Sequence, residues 1–154
     1  MSILCIVPCS DKKIWDKYPD MGTVRARDAY VGPLTKMAIK YAEKFHRNSW
    51  VILSAKYGFL RPNDIVPGPY NVTFKKKSTN PIKIEELIMQ ACEKGLYEYD
   101  AIMVLGGKDY VEVVKKVFQN KKIINPLEGL RYGEKVKKLK EALLSGKPLV
   151  EGSV

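Results

Sequence analysis

Trp50-Val51-Ile52-Leu53-Ser54 is five residues long, apolar without interruption until its last position, and followed at once by the turn-like Ala55-Lys56-Tyr57-Gly58. It does not alternate between apolar and polar, so neither of its faces is meant for water. A short run of that kind is what a strand buried on both faces requires, and such strands belong to parallel sheets covered by helices. Working outward, Ile3 to Pro8 has the same character, as do Asp100 to Leu105 and the shorter Ile123-Ile124. Between these runs the apolar spacing changes to that of a helix. Pro33 opens one helical pattern through Leu34, Met37, Ala38, Tyr41, Ala42 and Phe45. Pro81 precedes another through Ile84, Leu87, Ile88, Ala91 and Cys92, closed by Gly95. Tyr110, Val113, Val114, Val117 and Phe118 mark a third. Val136, Leu139 and Leu143 mark a fourth, which Gly146 and Pro148 stop.

Strand–helix alternation predicts parallel strands joined by right-handed crossovers, with helices on both faces. The expected architecture is a three-layer α/β sandwich with a mostly parallel sheet, filling residues 1–154 as one domain without internal repeats. The stretch from Ala55 to Asn80 is longer than a compact domain normally leaves without structure. It is expected to be functional or to hold a short regular element.

At 154 residues, 45% hydrophobic and 29% charged, the chain has ordinary globular composition, which excludes disorder, collagen-like repeats and coiled coil. Its apolar runs are too short to span a bilayer. Ile3 begins a strand-like run with no basic segment before it, so no signal peptide is read. Cys5, Cys9 and Cys92 are odd in number and form no CxxC pair, which points to a reducing, cytoplasmic setting. Lys and Arg total 27 against 17 acidic residues, for a formal charge of +10. A surplus of that size favours a polyanionic partner, nucleic acid first, although many of the lysines simply face water on helices.

In open parallel sheets a ligand sits beyond the carboxyl ends of the strands. That rule selects four loops. The first reads Pro8-Cys9-Ser10-Asp11-Lys12-Lys13. Its backbone amides can form an anion nest, and Cys9 beside two lysines is placed for a lowered pKa, with no histidine near it in sequence to act as base. Asp11 is the carboxylate of that loop. The second loop carries Ser54, Lys56, Tyr57 and Gly58. Lys56 follows the strand so closely that partial desolvation is expected, suiting it as proton donor, nucleophile or phosphate clamp. Downstream, Pro69-Tyr70-Asn71 adds an aromatic ring and an amide. The third loop is Gly106-Gly107-Lys108, a strand–glycine–helix arrangement suited to phosphate. The fourth holds Glu128. Before the first long helix, Arg27 offers a rigid fork for phosphate, with Asp28 beside it as a ready surface partner, and Tyr30 offers a ring. Neither GxGxxG nor a Walker loop occurs, so no nucleotide cofactor follows. No metal-ligand spacing is present, and His46 lies at the basic end of a helix, where the dipole explains it.

Three stretches carry a resemblance. Arg27-Asp28-Ala29-Tyr30-Val31-Gly32-Pro33-Leu34, Trp50 to Leu60 and Pro126-Leu127-Glu128-Gly129-Leu130-Arg131-Tyr132-Gly133 resemble, in order, a family of bacterial, archaeal and phage proteins known as a domain of unknown function. The run from Leu53 to Asp64 with Pro69-Tyr70 is similar to a segment of the YaaA peroxide-stress proteins, which are associated with DNA binding. The Pro8-Cys9-x-x-x-Lys13 pattern is similar to a motif in the catalytic domain of archaeosine synthase, which modifies a deazaguanine base in tRNA. Here Ile14 and Trp15 follow Lys13 where that motif continues with Pro-Tyr. The resemblance implies a uracil-DNA-glycosylase-like fold, in which an aspartate after the first strand orients water, as Asp11 would.

The expectation is therefore a nucleic-acid-associated enzyme acting on a nucleobase or its N-glycosidic bond in DNA or RNA. Tyr30, Tyr57 or Tyr70 would stack on a flipped base. Arg27, Lys12, Lys13 and Lys56 would hold phosphate, with Ser10, Ser54, Gly58, Gly106 and Gly107 shaping the pocket. Asp11 or Glu128 would activate water, or balance positive charge developing on the sugar, and Cys9 is the candidate nucleophile. Two alternatives accompany it: a non-catalytic DNA- or RNA-binding protein, and a hydrolase or transferase of free nucleosides or nucleotides.

Overall fold

The computed structural model describes residues 2–150. Its central sheet has five strands, β1 (Ile3–Pro8), β3 (Trp50–Ser54), β4 (Gly58–Leu60), β6 (Ala101–Val104) and β7 (Lys122–Ile124), in the order β4-β3-β1-β6-β7. β1 pairs in parallel with both β3 and β6, and β6 pairs in parallel with β7. Only the edge strand β4 runs antiparallel, folding back so that Ser54 faces Gly58. The expected single α/β domain with a mostly parallel sheet is what the chain adopts.

Alternate residues of the unbroken apolar runs feed two separate cores, because successive side chains of a strand point to opposite faces. On one face Ile3, Cys5, Val7, Trp50, Ile52, Ala101 and Met103 pack under α3 (Pro33–Phe45) and α6 (Tyr132–Ser145). On the other, Leu4, Ile6, Val51, Leu53, Ile102 and Val104 pack under α4 (Ile84–Glu93) and α5 (Lys108–Val117). The sheet therefore lies between two helical layers. Gly146 ends α6 in a left-handed conformation at φ +73°, the backbone that glycine adopts without penalty.

The two segments without a clear pattern hold short elements. α1 (Ile14–Lys17), β2 (Val24–Arg25) and α2 (Ala26–Ala29) occupy the loop after β1. β5 (Ile65–Val66) pairs antiparallel with β2, forming a small second sheet, and a 3-10 turn covers Lys77–Thr79. The long stretch after β3 thus contains β4, β5 and that turn, which answers the expectation of an unread element. Among the described residues, no helix is long and apolar enough to cross a membrane.

The chain moves from β1 to one side, to β3, and then crosses back past β1 to β6 and β7. The order reverses between β1 and β6, and at such a switch point the connections leave the carboxyl ends in opposite directions and open a crevice.

His46, at the carboxyl end of α3, is 6% exposed, and its Nε2 is buried with no hydrogen-bond partner. Burial pulls its pKa from 6.5 down to about 4, so the folded protein keeps it neutral. The unfolded chain takes up the proton first as pH falls below 6.5, so the stability held by neutral His46 is complete above that value and declines toward pH 4. A loss of about 3 kcal/mol across the whole window is expected. Urea denaturation at pH 7 and pH 5 should show part of this fall in the native sequence and a smaller one in His46→Gln.

Candidate functional site

A cleft of about 500 Å³ opens at the β1/β6 switch point. Its floor is the chain leaving β1, from Pro8 to Lys12, and its walls come from the first turns of three helices. Gly32 to Thr35 begin α3, Gly107 to Tyr110 begin α5, and Tyr132 and Lys135 belong to the start of α6. Thr73 and Lys75 close the outer side. In a parallel sheet all crossover helices present their amino ends at the strand carboxyl ends, so three positive dipole ends converge here. Another hollow, about 600 Å³ and lined by Lys44 to Ser49, lies beyond the amino ends of the strands, where no such convergence occurs.

The charges in the cleft are unspent. Lys12, Lys75 and Lys135 come from three separate segments, and none forms an ion pair among the described residues. Asp11 and Asp109 are likewise unpaired there. Tyr132 is 54% exposed, with its hydroxyl accepting the Leu34 N–H at 3.1 Å, so its ring is anchored at one end and open along its face. Thr35 ties α3 to the floor by donating to the Pro8 carbonyl at 3.1 Å.

Behind the floor lies a second, buried polar cluster. Ser54 Oγ accepts the Lys56 and Tyr57 N–H groups at 3.2 and 3.0 Å, which occupies both of its lone pairs. Its own proton therefore goes to Tyr70 Oη at 2.7 Å, and Tyr70 Oη lies 2.5 Å from Tyr30 Oη. Burial raises both phenols, Tyr30 to about 12, so each remains protonated. Lys13 is 4% exposed, with Nζ 4.4 Å above the Tyr70 ring and donating to the Asp11 carbonyl at 3.3 Å. Burial lowers its pKa. Its backbone is held by Asp16, which accepts the Lys13 N–H at 2.9 Å, and by a bridge to Tyr30.

Cys9 joins the two regions. It is 9% exposed and lines the cleft, with Sγ 3.0 Å from Tyr110 Oη. Tyr110 donates to the Cys9 carbonyl at 3.1 Å, so with the thiol protonated the S–H points at the tyrosine oxygen. The expected lowering of the Cys9 pKa is not found. Burial raises it, and the opposing effects of Tyr110, the Ala55 N–H and Lys13 are smaller.

Of the residues singled out from sequence, Cys9, Ser10, Asp11, Lys12 and Gly107 line the cleft, and Lys13, Tyr30, Ser54 and Tyr70 form the cluster beneath it. Gly106 is packed between them, where a Cβ would meet Tyr110 and Pro8. Tyr57 is half-buried, edge-on to Tyr70 at 5.4 Å, and Lys56 is exposed over both rings at 5.2 and 5.5 Å. The desolvated lysine is thus Lys13 and not Lys56. Tyr30 is 1% exposed, so no base can reach its face, and the open ring at the cleft is that of Tyr132. Arg27 closes on Glu43 of α3 and is not part of the cleft wall; the expected surface pair with Asp28 is made instead by Arg25, at 3.5 Å. Glu128 is exposed in the turn after Asn125 and borders no cleft. Gly58 is architectural: at φ +81° it starts β4, and a Cβ there would strike the Gln90 amide. That amide bridges the turn by accepting the Phe59 N–H and donating to the Tyr57 carbonyl. Among the described residues no group of three or more His, Cys, Asp or Glu side chains could hold a metal ion.

Sequence reading missed Thr35, Thr73, Lys75, Asp109, Tyr110, Tyr132 and Lys135 as parts of one site. Thr35 alone carried a local signal, being a polar residue on the apolar face of α3.

The chain belongs to a family of unknown function (DUF6884), whose model matches residues 4–141. It is 48% identical over 117 residues to the uncharacterized protein YfjM of Bacillus subtilis (strain 168), an alignment covering 76% of this chain and 77% of that protein. Among solved structures it is similar to AF0587, a protein of unknown function, with a TM-score of 0.43 and 14% identity. That match covers 99% of this chain but 46% of the solved one, so this chain spans less than half its length.

Ser54→Ala should lower the unfolding free energy by about 2 kcal/mol, because at least one buried partner of Oγ is left unsatisfied. Exposed Lys12→Ala should change it by less than about 0.5 kcal/mol. Chemical denaturation of the two variants at pH 7 measures the difference.

Proposed function

We propose that the protein is an enzyme acting on a nucleobase or its N-glycosidic bond, with one phosphate-bearing nucleoside unit of DNA or RNA held in the β1/β6 cleft. One observation carries this: a single cleft combines three unpaired lysines and three helix amino ends with an unpaired carboxylate and an open aromatic face. Lysines and helix amino ends match phosphate oxygens. An aromatic face matches a base, whatever its sequence. Asp11 then activates water against the anomeric carbon, or balances the positive charge that grows on the sugar as the base departs. The volume of the cleft falls within the range of small-ligand sites.

The likenesses noted above between Pro8-Cys9-x-x-x-Lys13 and the archaeosine synthase motif, and between Leu53 to Tyr70 and the YaaA proteins, agree with a nucleic-acid setting and with a glycosylase-like sheet. The formal charge of +10 supports a polyanionic substrate in place of a neutral one.

Calorimetry should find that a 5′-mononucleotide binds and the matching nucleoside binds at least tenfold more weakly. Lys75→Ala and Lys135→Ala should each lose about tenfold for the nucleotide, the share of one charge-assisted hydrogen bond. Oligonucleotide affinity should fall with added salt. Chromatographic detection of released or altered base should give turnover that Asp11→Asn lowers by about 10²–10⁴-fold with binding retained. Binding of strands without any turnover would favour a purely nucleic-acid-binding protein, and indifference to both nucleotide and strand would overturn the assignment.

A further inference from the structure

The cysteine that lines the cleft lacks a histidine, and the chain's one buried lysine lacks an acid. Among the described residues Lys13 is the only lysine buried from solvent, and it makes no ion pair. Its Nζ has three protons to place when charged, and its only hydrogen-bond partner is the Asp11 carbonyl. An ammonium held that way is poorly solvated, so the neutral amine, a base and proton acceptor, is favoured. Within the cluster its strongest charge neighbour is Cys9, ahead of Asp11 and Asp16. Cys9 in turn faces the cleft and keeps its proton toward Tyr110. Burial acts on both groups in the same sense and holds them as neutral thiol and neutral amine until a reaction separates charge.

We propose that Cys9 and Lys13 are a nucleophile–base couple opening onto the cleft, with Tyr110 as the hydroxyl that steadies the sulfur. This adds covalent chemistry to the function proposed above and rests on it for the identity of the ligand. The S–H proton passes to Lys13 Nζ as the sulfur electron pair bonds to an electrophilic carbon of the bound unit, the anomeric carbon in that reading. The C–N bond breaks, its electron pair leaves with the base, and the Lys13 ammonium returns the proton to the departing nitrogen. Water, deprotonated toward Asp11, then displaces sulfur from the same carbon, and the thiolate regains a proton, restoring the thiol. No oxidant, metal or further reactant enters either half. Charge develops only as bonds change, which is why a neutral resting pair suits a buried floor.

The three cysteines furnish their own controls for iodoacetamide labelling read by mass spectrometry between pH 6 and pH 10. Cys5 is fully buried in the core and Cys92 is exposed on α4. The groups facing the reacting pair are Asp11, Asp16, Tyr30, Tyr70 and Tyr110. In the native protein Cys9 is expected to label while Cys5 does not. Lys13→Met should slow Cys9 at least tenfold at pH 8, with Cys92 unchanged. A Cys9 rate within twofold of native, relative to Cys92, would overturn the couple. Should Cys5 become reactive in Lys13→Met, that variant has lost its fold, and ¹⁵N NMR of lysine Nζ in Cys9→Ser decides. The Lys13 titration should then move to lower pH, because a group whose negative charge favours the ammonium has gone; a stationary titration refutes the pairing. Labelling in the presence of a 5′-mononucleotide separates the two ideas. Failure of protection counts against the proposed ligand, whereas loss of Lys13 dependence counts against the couple alone.

Discussion

Four strands running the same way place all their carboxyl ends, and the amino ends of the helices that connect them, along a single edge of the sheet. That edge gathers what the primary sequence scatters. Residues near positions 9, 34, 109 and 132 share one cleft because β1, α3, α5 and α6 each begin or end there. The same geometry makes the edge electropositive without any side chain, since exposed N–H groups of several first turns face it. The lysines then add to a field the backbone has already set up.

Burying β1 on both faces has a further consequence for the residues that follow it. The chain leaves the strand still inside the molecule, so Cys9 and Lys13 are enclosed while Ser10, Asp11 and Lys12 reach the cleft. Their surroundings must meet the hydrogen-bonding needs of groups cut off from water. Ser54, Tyr70, Tyr30, Tyr110 and Thr35 meet them, each with protons directed by the partners around it. Most of this cluster is uncharged, so little electrostatic penalty is carried in the resting state. Lys13 is the exception in type, and its environment favours losing its charge over neutralising it with an acid.

The strands and long helices were legible because their signals are local. Trp50 to Ser54 is apolar on every residue, and the helix after Pro33 repeats its apolar positions at one-turn spacing. The strand-end rule also found Cys9, Ser10, Asp11, Lys12 and Gly107. It failed where exposure decided the role. A lysine reads as solvated in any sequence, so nothing in Asp11-Lys12-Lys13 distinguished the enclosed third residue from the exposed second. Tyr30 and Tyr132 likewise read alike as rings, although one is sealed in the core and the other open. Arg27 read as a phosphate fork because Glu43, its partner, lies 16 residues away on the next helix. The strand β4, three residues long, carries too few positions to show a period.

By itself, then, the amino-acid sequence determined the layers: which segments are strands, which are helices, that the sheet is mostly parallel, and along which edge polar loops collect. Those properties follow from apolar periodicity and from the handedness of the chain, both of which act over a few neighbouring residues. Tertiary structure alone decided which polar residues are cut off from water and which remain open to it. Solvation of a side chain depends on atoms contributed by distant segments, here α5 over Cys9, the Tyr70 loop over Lys13, and α6 beside the entrance to α3.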